Sequence, residues 1–129
     1  MDWIRVDTAD GRVSFLPGET VEGVASWHLD TPPESVELRL FWYTEGKGDQ
    51  DVQIVETVSF GQPGADDRRA FRVRLPAGPY SFSGKLISLS WALEVVAEPG
   101  ARAGRCSLVI SPADREILLH PGIRGASPG

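Results

Sequence analysis

The sequence predicts an all-β fold, an immunoglobulin-like antiparallel β-sandwich of seven to eight strands. Three observations carry this. Apolar and polar residues alternate with period two in one segment after another. Turn-forming Pro-Gly, Asp-Gly and Pro-rich pairs interrupt these segments at intervals of about eight to twelve residues. No stretch keeps the apolar spacing of a long amphipathic helix.

The clearest segment is residues 80–97. From Ile87 the odd positions read Ile87, Leu89, Trp91, Leu93 and Val95, and the even ones Ser88, Ser90, Ala92, Glu94 and Val96. That is a strand with one buried face and one wetter face, whereas a helix would scatter Ile, Leu and Trp around its circumference. It reads as the central strand, with Leu89, Trp91 and Leu93 in the core.

The rest follows in chain order. Residues 3–7 and 12–16 read as short strands parted by the Asp10-Gly11 turn, and Pro17-Gly18 suits a type II turn. In 19–29, Val21, Ala25, Trp27 and Leu29 share one face. Gly23 lies on that face, where it permits a bulge or the close approach of another backbone. Residues 34–45 place Val36, Leu38, Leu40 and Trp42 inward, and Glu37, Arg39, Phe41 and Tyr43 outward. Residues 51–60 are rich in Val and Ile but conflict in parity: Val52, Ile54, Val58 and Phe60 share it with Glu56. A bulge near Glu56 reconciles them. After a loop at 61–67, Phe71, Val73 and Leu75 point inward and Arg72 and Arg74 outward. A turn at 99–103 precedes the last strand, 105–111, with Cys106, Leu108 and Ile110 on its core face. Residues 113–119 read as a helical turn or an edge strand, and 120–129 as a loose tail. The organisation is one domain over 1–111 and a tail over 112–129.

Composition narrows the function classes. Net charge is −5, which opposes a nucleic-acid partner, because affinity there comes from neutralising phosphates. No apolar run is long enough to span a bilayer as a helix. No leader pattern opens the chain, and the single Cys106 excludes an internal disulfide framework; both point to a reducing, cytoplasmic compartment. Arg far outnumbers Lys, which occurs only at Lys47 and Lys85, and Asn is absent. This composition points to a GC-rich, bacterial genome.

Two motifs carry a family resemblance. Residues 15–24, with Pro17, Gly18, Glu19, Val21 and Gly23, resemble the start of the arrestin N-domain. Residues 75–95, with Pro76, Pro79, Tyr80, Gly84, Ile87, Leu89, Trp91 and Leu93, resemble a later strand of the same family. Residues 36–43 fit the alternating strand between them. Over 1–111 the chain therefore resembles the arrestin-like family, which includes arrestins, the retromer Vps26 subunit and Spo0M-type proteins. Those relatives carry two such sandwiches in tandem, and this chain has room for one. The resemblance implies a non-enzymatic adaptor or scaffold. The phosphate-sensing residues of arrestins have no counterpart here.

No catalytic constellation or cofactor motif is present. His28 and His120 are far apart, and His28 reads as a surface or hydrogen-bonded histidine. Cys106 reads as a buried, inert thiol. Asp49, Asp51, Asp66 and Asp67 read as solvated loop carboxylates, because their spacing matches no calcium loop. An enzyme would require those loops to hold a metal. Two features suit a protein partner. Arg69, Arg72 and Arg74, together with Arg68, form a basic stripe able to grip carboxylates or phosphates, which Arg39 joins if its strand is near; the alternative is a solvated strand face paired with Glu37, Glu56 or Glu94. Phe41 and Tyr43 are outward aromatics, which the tail's Ile117, Leu118 and Leu119 could also cover. The expected function is protein binding, through a sheet edge or the basic strand face, with self-association into a homodimer as one form of it. The alternative is a small-molecule or carbohydrate module stacking its ligand on Phe41 and Tyr43.

Overall fold

The computed structural model describes residues 1–46, 48, 50–84, 86–112 and 117–118, the last two by backbone alone. Ten strands appear in chain order: β1 (Trp3–Thr8), β2 (Ser14–Phe15), β3 (Thr20–His28), β4 (Ser35–Gly46), β5 (Val52–Phe60), β6 (Asp66–Arg74), β7 (Phe82–Ser83), β8 (Ile87–Glu98), β9 (Arg102–Ile110) and β10 (Ile117–Leu118). Seven are long, and β2, β7 and β10 have two residues each. A single 3₁₀ turn at Ala9–Gly11 is the only helical element among the described residues.

The strands form two sheets. The small sheet has the order β1-β3-β6, all antiparallel. The large sheet runs β5-β4-β8, and beyond β8 lie both β9 and β7. β2 pairs in parallel with β9, and β10 with β7. The sheets enclose a core that includes Trp27, Leu38, Leu40, Trp91 and Leu93, all at most 1% exposed. This is the sandwich that the alternation predicts, and its central strand is β8, the segment that alternates most clearly.

Several local expectations meet their physical cause. Gly18 has φ 81°, and the Glu19 amide donates to the Leu16 carbonyl at 3.2 Å, as a type II turn requires. The register of β5 shifts between Leu40 and Phe41, which face Glu56 and Ile54, so Val55 is the extra residue of a bulge next to Glu56. A side chain at Gly23 would strike the Asp7 carbonyl and lie 2.7 Å from Phe71 Cζ. Glycine is thus required for close approach, as its core-facing position suggests.

Other expectations need correction. β2 keeps only two residues of the extended piece at 12–16, because only Ser14 and Phe15 pair with β9. β6 begins at Asp66 and β9 at Arg102, so Asp66 and Asp67 are strand residues rather than loop residues. Their backbones pair with His28 and Trp27. Trp42 packs against the core but is only half-buried, because burial falls away along β4 from Trp42 to Gly46. The wetter face of β8 is not wet throughout: Ala92 and Val96 are at most 4% exposed. β8 has neighbours on both sides, so Ala92 is flanked by Phe41 and Ser107 and Val96 by Glu37 and Ala103.

Two indoles lock loops onto this frame. Trp91 Nε1 donates to the Pro79 carbonyl at 2.9 Å, and Trp27 Nε1 to the Gly64 carbonyl at 2.8 Å. Buried indole N–H groups need such partners. Ser81 is also buried. Its amide donates to the Ile110 carbonyl at 2.8 Å, and its Oγ accepts from the Ile110 amide at 3.0 Å, which ties the lead-in of β8 to β9.

Candidate functional site

Residues directly opposite on neighbouring strands share a face. The register therefore builds the outer face of the large sheet as rows. One row is Thr57, Arg39, Glu94 and Arg105; the next is Ile54, Phe41, Ala92 and Ser107; then come Val52, Tyr43 and Ser90. Arg39 bonds Glu37 through Nε at 3.0 Å and Nη2 at 2.9 Å, and Arg105 Nη2 pairs with Glu94 at 3.3 Å. The Arg105 guanidinium lies 5.0 Å from the Phe41 ring centre and 5.6 Å from that of Tyr43. The result is a shallow concavity of about 320 Å³ bordered by Phe41, Tyr43, Val52, Ile54, Arg39 and Arg105.

This geometry revises the aromatic platform. Phe41 does point to the outer face, but it is only 5% exposed, beneath Arg105 and beside Tyr43. Tyr43 alone stays half-exposed. Leu119, one of the tail residues able to serve as a cover, lies outside the described residues, as do residues 113–116 and 120–129. Ile117 and Leu118 pair with β7.

The arginines divide in the same way. Arg39 belongs to the large sheet and does not join the stripe, which lies on the small sheet. Arg69 shares the inward parity of Phe71 and Val73. Its Nη2 reaches Asp67 at 3.0 Å and the carbonyls of Gly61 and Gln62 at 2.9 and 3.1 Å. Arg69 thus clamps the loop between β5 and β6. The outward stripe is Arg68, Arg72 and Arg74. Arg72 Nε sits 3.3 Å from Glu22, while Arg68 and Arg74 make no ion pair among the described residues. Two open hollows of about 570 and 520 Å³ on this sheet share Asp7, Ser26 and Arg68.

Asp67 completes the loop clamp, also accepting from the amides of Gly64 at 3.1 Å and Arg68 at 2.8 Å. The Arg69 hydrogen bond first, then these amides, hold its carboxyl down to about 2. A lowered pKa means that the unfolded chain takes up the proton at higher pH. The stability it confers is therefore present above about pH 4 and lost as pH falls through about 2. Asp67→Asn is expected to remove up to about 2 kcal/mol at neutral pH and to flatten the acid limb of a denaturation series between those values.

His28 Nδ1 lies 3.1 Å from Asp66 and its ring stacks on Trp3. Burial, and secondarily Asp7, raises the Cys106 thiol above its ordinary value, which keeps it protonated. Asp49 lies outside the described residues, and among those residues no three His, Cys, Asp or Glu side chains converge as a metal cluster. No described helix is long and apolar enough to cross a membrane.

The edges of the sheets are the feature that sequence reading could not locate. β5 ends the large sheet, and among the described residues only β4 pairs with it. Val52, Ile54 and Val55 on it are 59%, 47% and 39% exposed. β6 ends the small sheet beside it. β6 carries six charged residues in nine, DDRRAFRVR, whereas β5 carries one in nine, VQIVETVSF. Charges protect an edge from pairing, and β5 lacks them. The bulge at Val55 bends this edge but leaves it apolar.

The molecule is an arrestin-like β-sandwich. Spo0M, a sporulation control protein from Bacillus subtilis, has a similar structure, with TM-score 0.57 and 15% sequence identity over 84% of this chain. The match takes in 49% of the Spo0M chain, so this chain spans about half the length of that protein. The alkylpurine DNA glycosylase AlkC of Pseudomonas fluorescens matches at TM-score 0.43 and 11% identity over 84% of this chain and 30% of its own. No protein-family model matches the sequence, and no curated protein matches it.

Proposed function

We propose that this chain is a non-enzymatic protein-binding domain of the arrestin-like family, an adaptor or scaffold that accepts an extended partner strand along β5. The observation that carries this reading is the contrast between the two neighbouring edges. β6 is guarded by charge, and β5 offers nine residues, six of them Val, Ile, Thr or Phe of high β propensity, with a single charge. A strand added there gains main-chain hydrogen bonds from the free edge and side-chain specificity from the adjoining face. A bacterial, cytoplasmic setting suits the lone thiol of Cys106. The small-molecule reading has less support, because the Phe41 face is already taken by Arg105. The basic face at Arg72 and Arg74 is the competing surface.

Photo-crosslinking in the producing cells separates the two. A photoreactive residue at Ile54 is expected to trap a discrete protein partner, one at Arg72 is not, and Val52→Lys should abolish the adduct. An adduct that forms at Arg72, survives Val52→Lys and disappears with Arg72→Glu and Arg74→Glu would transfer the function to the basic face.

A further inference from the structure

We infer that the β5 edge selects a cationic strand, one in which apolar side chains alternate with Lys or Arg; this rests on the edge reading above. The argument is a local charge account. On the outer face, Arg39 and Arg105 are already matched by Glu37 and Glu94. The carboxylates of Glu45, Asp51 and Glu56, along and beside β5, are exposed and have no ion pair among the described residues. Among the described residues, the rim of the edge is therefore anionic surface without a paired cation.

Parity decides which partner residues meet it. Val52 and Ile54 share the outer face with Tyr43, so alternate partner side chains beside them land on apolar surface. Glu56 stands opposite Leu40, on the other parity, so the intervening partner side chains approach its carboxylate. Asp51 and Glu45 flank the end where Val52 and Tyr43 meet. An incoming strand with carboxylates at those positions would meet like charge directly across the pair, which opposes pairing, and one with cations would neutralise it. The edge is thus matched to a partner of opposite sign rather than to a second β5 strand, which sets Glu56 and Asp51 against their own copies in a parallel in-register pair and can set Glu56 against Asp51 in an antiparallel one.

The test uses the whole chain and two capped nine-residue peptides, one alternating valine with lysine and one alternating valine with glutamate. Binding is followed by amide chemical shifts. The lysine peptide is expected to perturb the amides of β5 and to bind at least tenfold more tightly than the glutamate peptide. Combined Glu45→Gln, Asp51→Asn and Glu56→Gln substitutions, all on the surface, should erase that preference. Equal binding of both peptides at β5 overturns charge selection and leaves the edge reading standing. Perturbation confined to other strands, or by neither peptide, overturns the edge reading itself. Sedimentation showing a dimer that buries β5 and excludes both peptides identifies a second copy as the occupant and overturns the proposal.

Discussion

Replacing Trp91 with Ala is expected to cost about 3–5 kcal/mol and to lower the melting temperature by about 10–20 °C. Trp91 is fully buried on β8, faces Trp42 on β4 and Leu108 on β9, and is one of the two largest enclosed side chains. Truncation opens a cavity where three strands meet. It also removes the donor that satisfies the Pro79 carbonyl, and so loosens the segment leading into β7 and β8. Trp91→Phe leaves a smaller gap. It keeps one aromatic ring but loses the hydrogen bond and part of the indole's volume, so its cost should lie near about 2 kcal/mol, well below that of alanine. Urea denaturation of the pair measures both. An alanine variant within 1 kcal/mol of the parent would mean that the site collapses around the gap.

Gly104→Ala is the second large effect, and a sequence-based substitution table would rate it harmless. A side chain there would strike the Ile4 carbonyl oxygen and come within 2.8 Å of the Ile4 carbonyl carbon. The obstacle is backbone, so no rotamer change relieves it. β1 must lift from β9, which strains the side of the sandwich where Arg102 also pairs with Asp2. The expected loss is about 2–3 kcal/mol, at the upper end for overpacking. Gly23→Ala meets the same kind of obstacle at the Asp7 carbonyl. Hydrogen exchange distinguishes this cause from a general loss of stability: amides of β1 should lose protection first, while those of β4 and β8 keep theirs.

Much of the frame was legible because it is written in nearest neighbours. The inward sets Val36, Leu38, Leu40 and Phe71, Val73, Leu75 follow from alternation, and all six are buried. Even the bulge beside Glu56 was visible, as a parity conflict that only an extra residue could resolve. The candidate site was legible only in part. Parity put Phe41 and Tyr43 outward, but it could not show that Arg105, from a distant strand, would lie over Phe41. Parity also gave Arg69 the inward side. Its neighbours in sequence nevertheless suggested a member of the basic stripe, and only the folded loop reveals the carbonyls it holds. Grouping Arg39 with that stripe failed because strand order, not sequence, assigns a residue to a sheet.

The sequence by itself determined the long strands, most of their faces, the turns between them and the two fully buried tryptophans, Trp27 and Trp91. Each of these depends on a residue's own backbone geometry and on neighbours one or two positions away. Only the tertiary structure decided which strand has an open edge. β5 and β8 are both rich in β-branched and apolar residues, yet among the described residues β8 has partners on both sides and β5 on one. Whether an edge is free depends on where every other strand lies. That is why the strand most exposed to a partner could be drawn from the sequence while its role as the open edge could not.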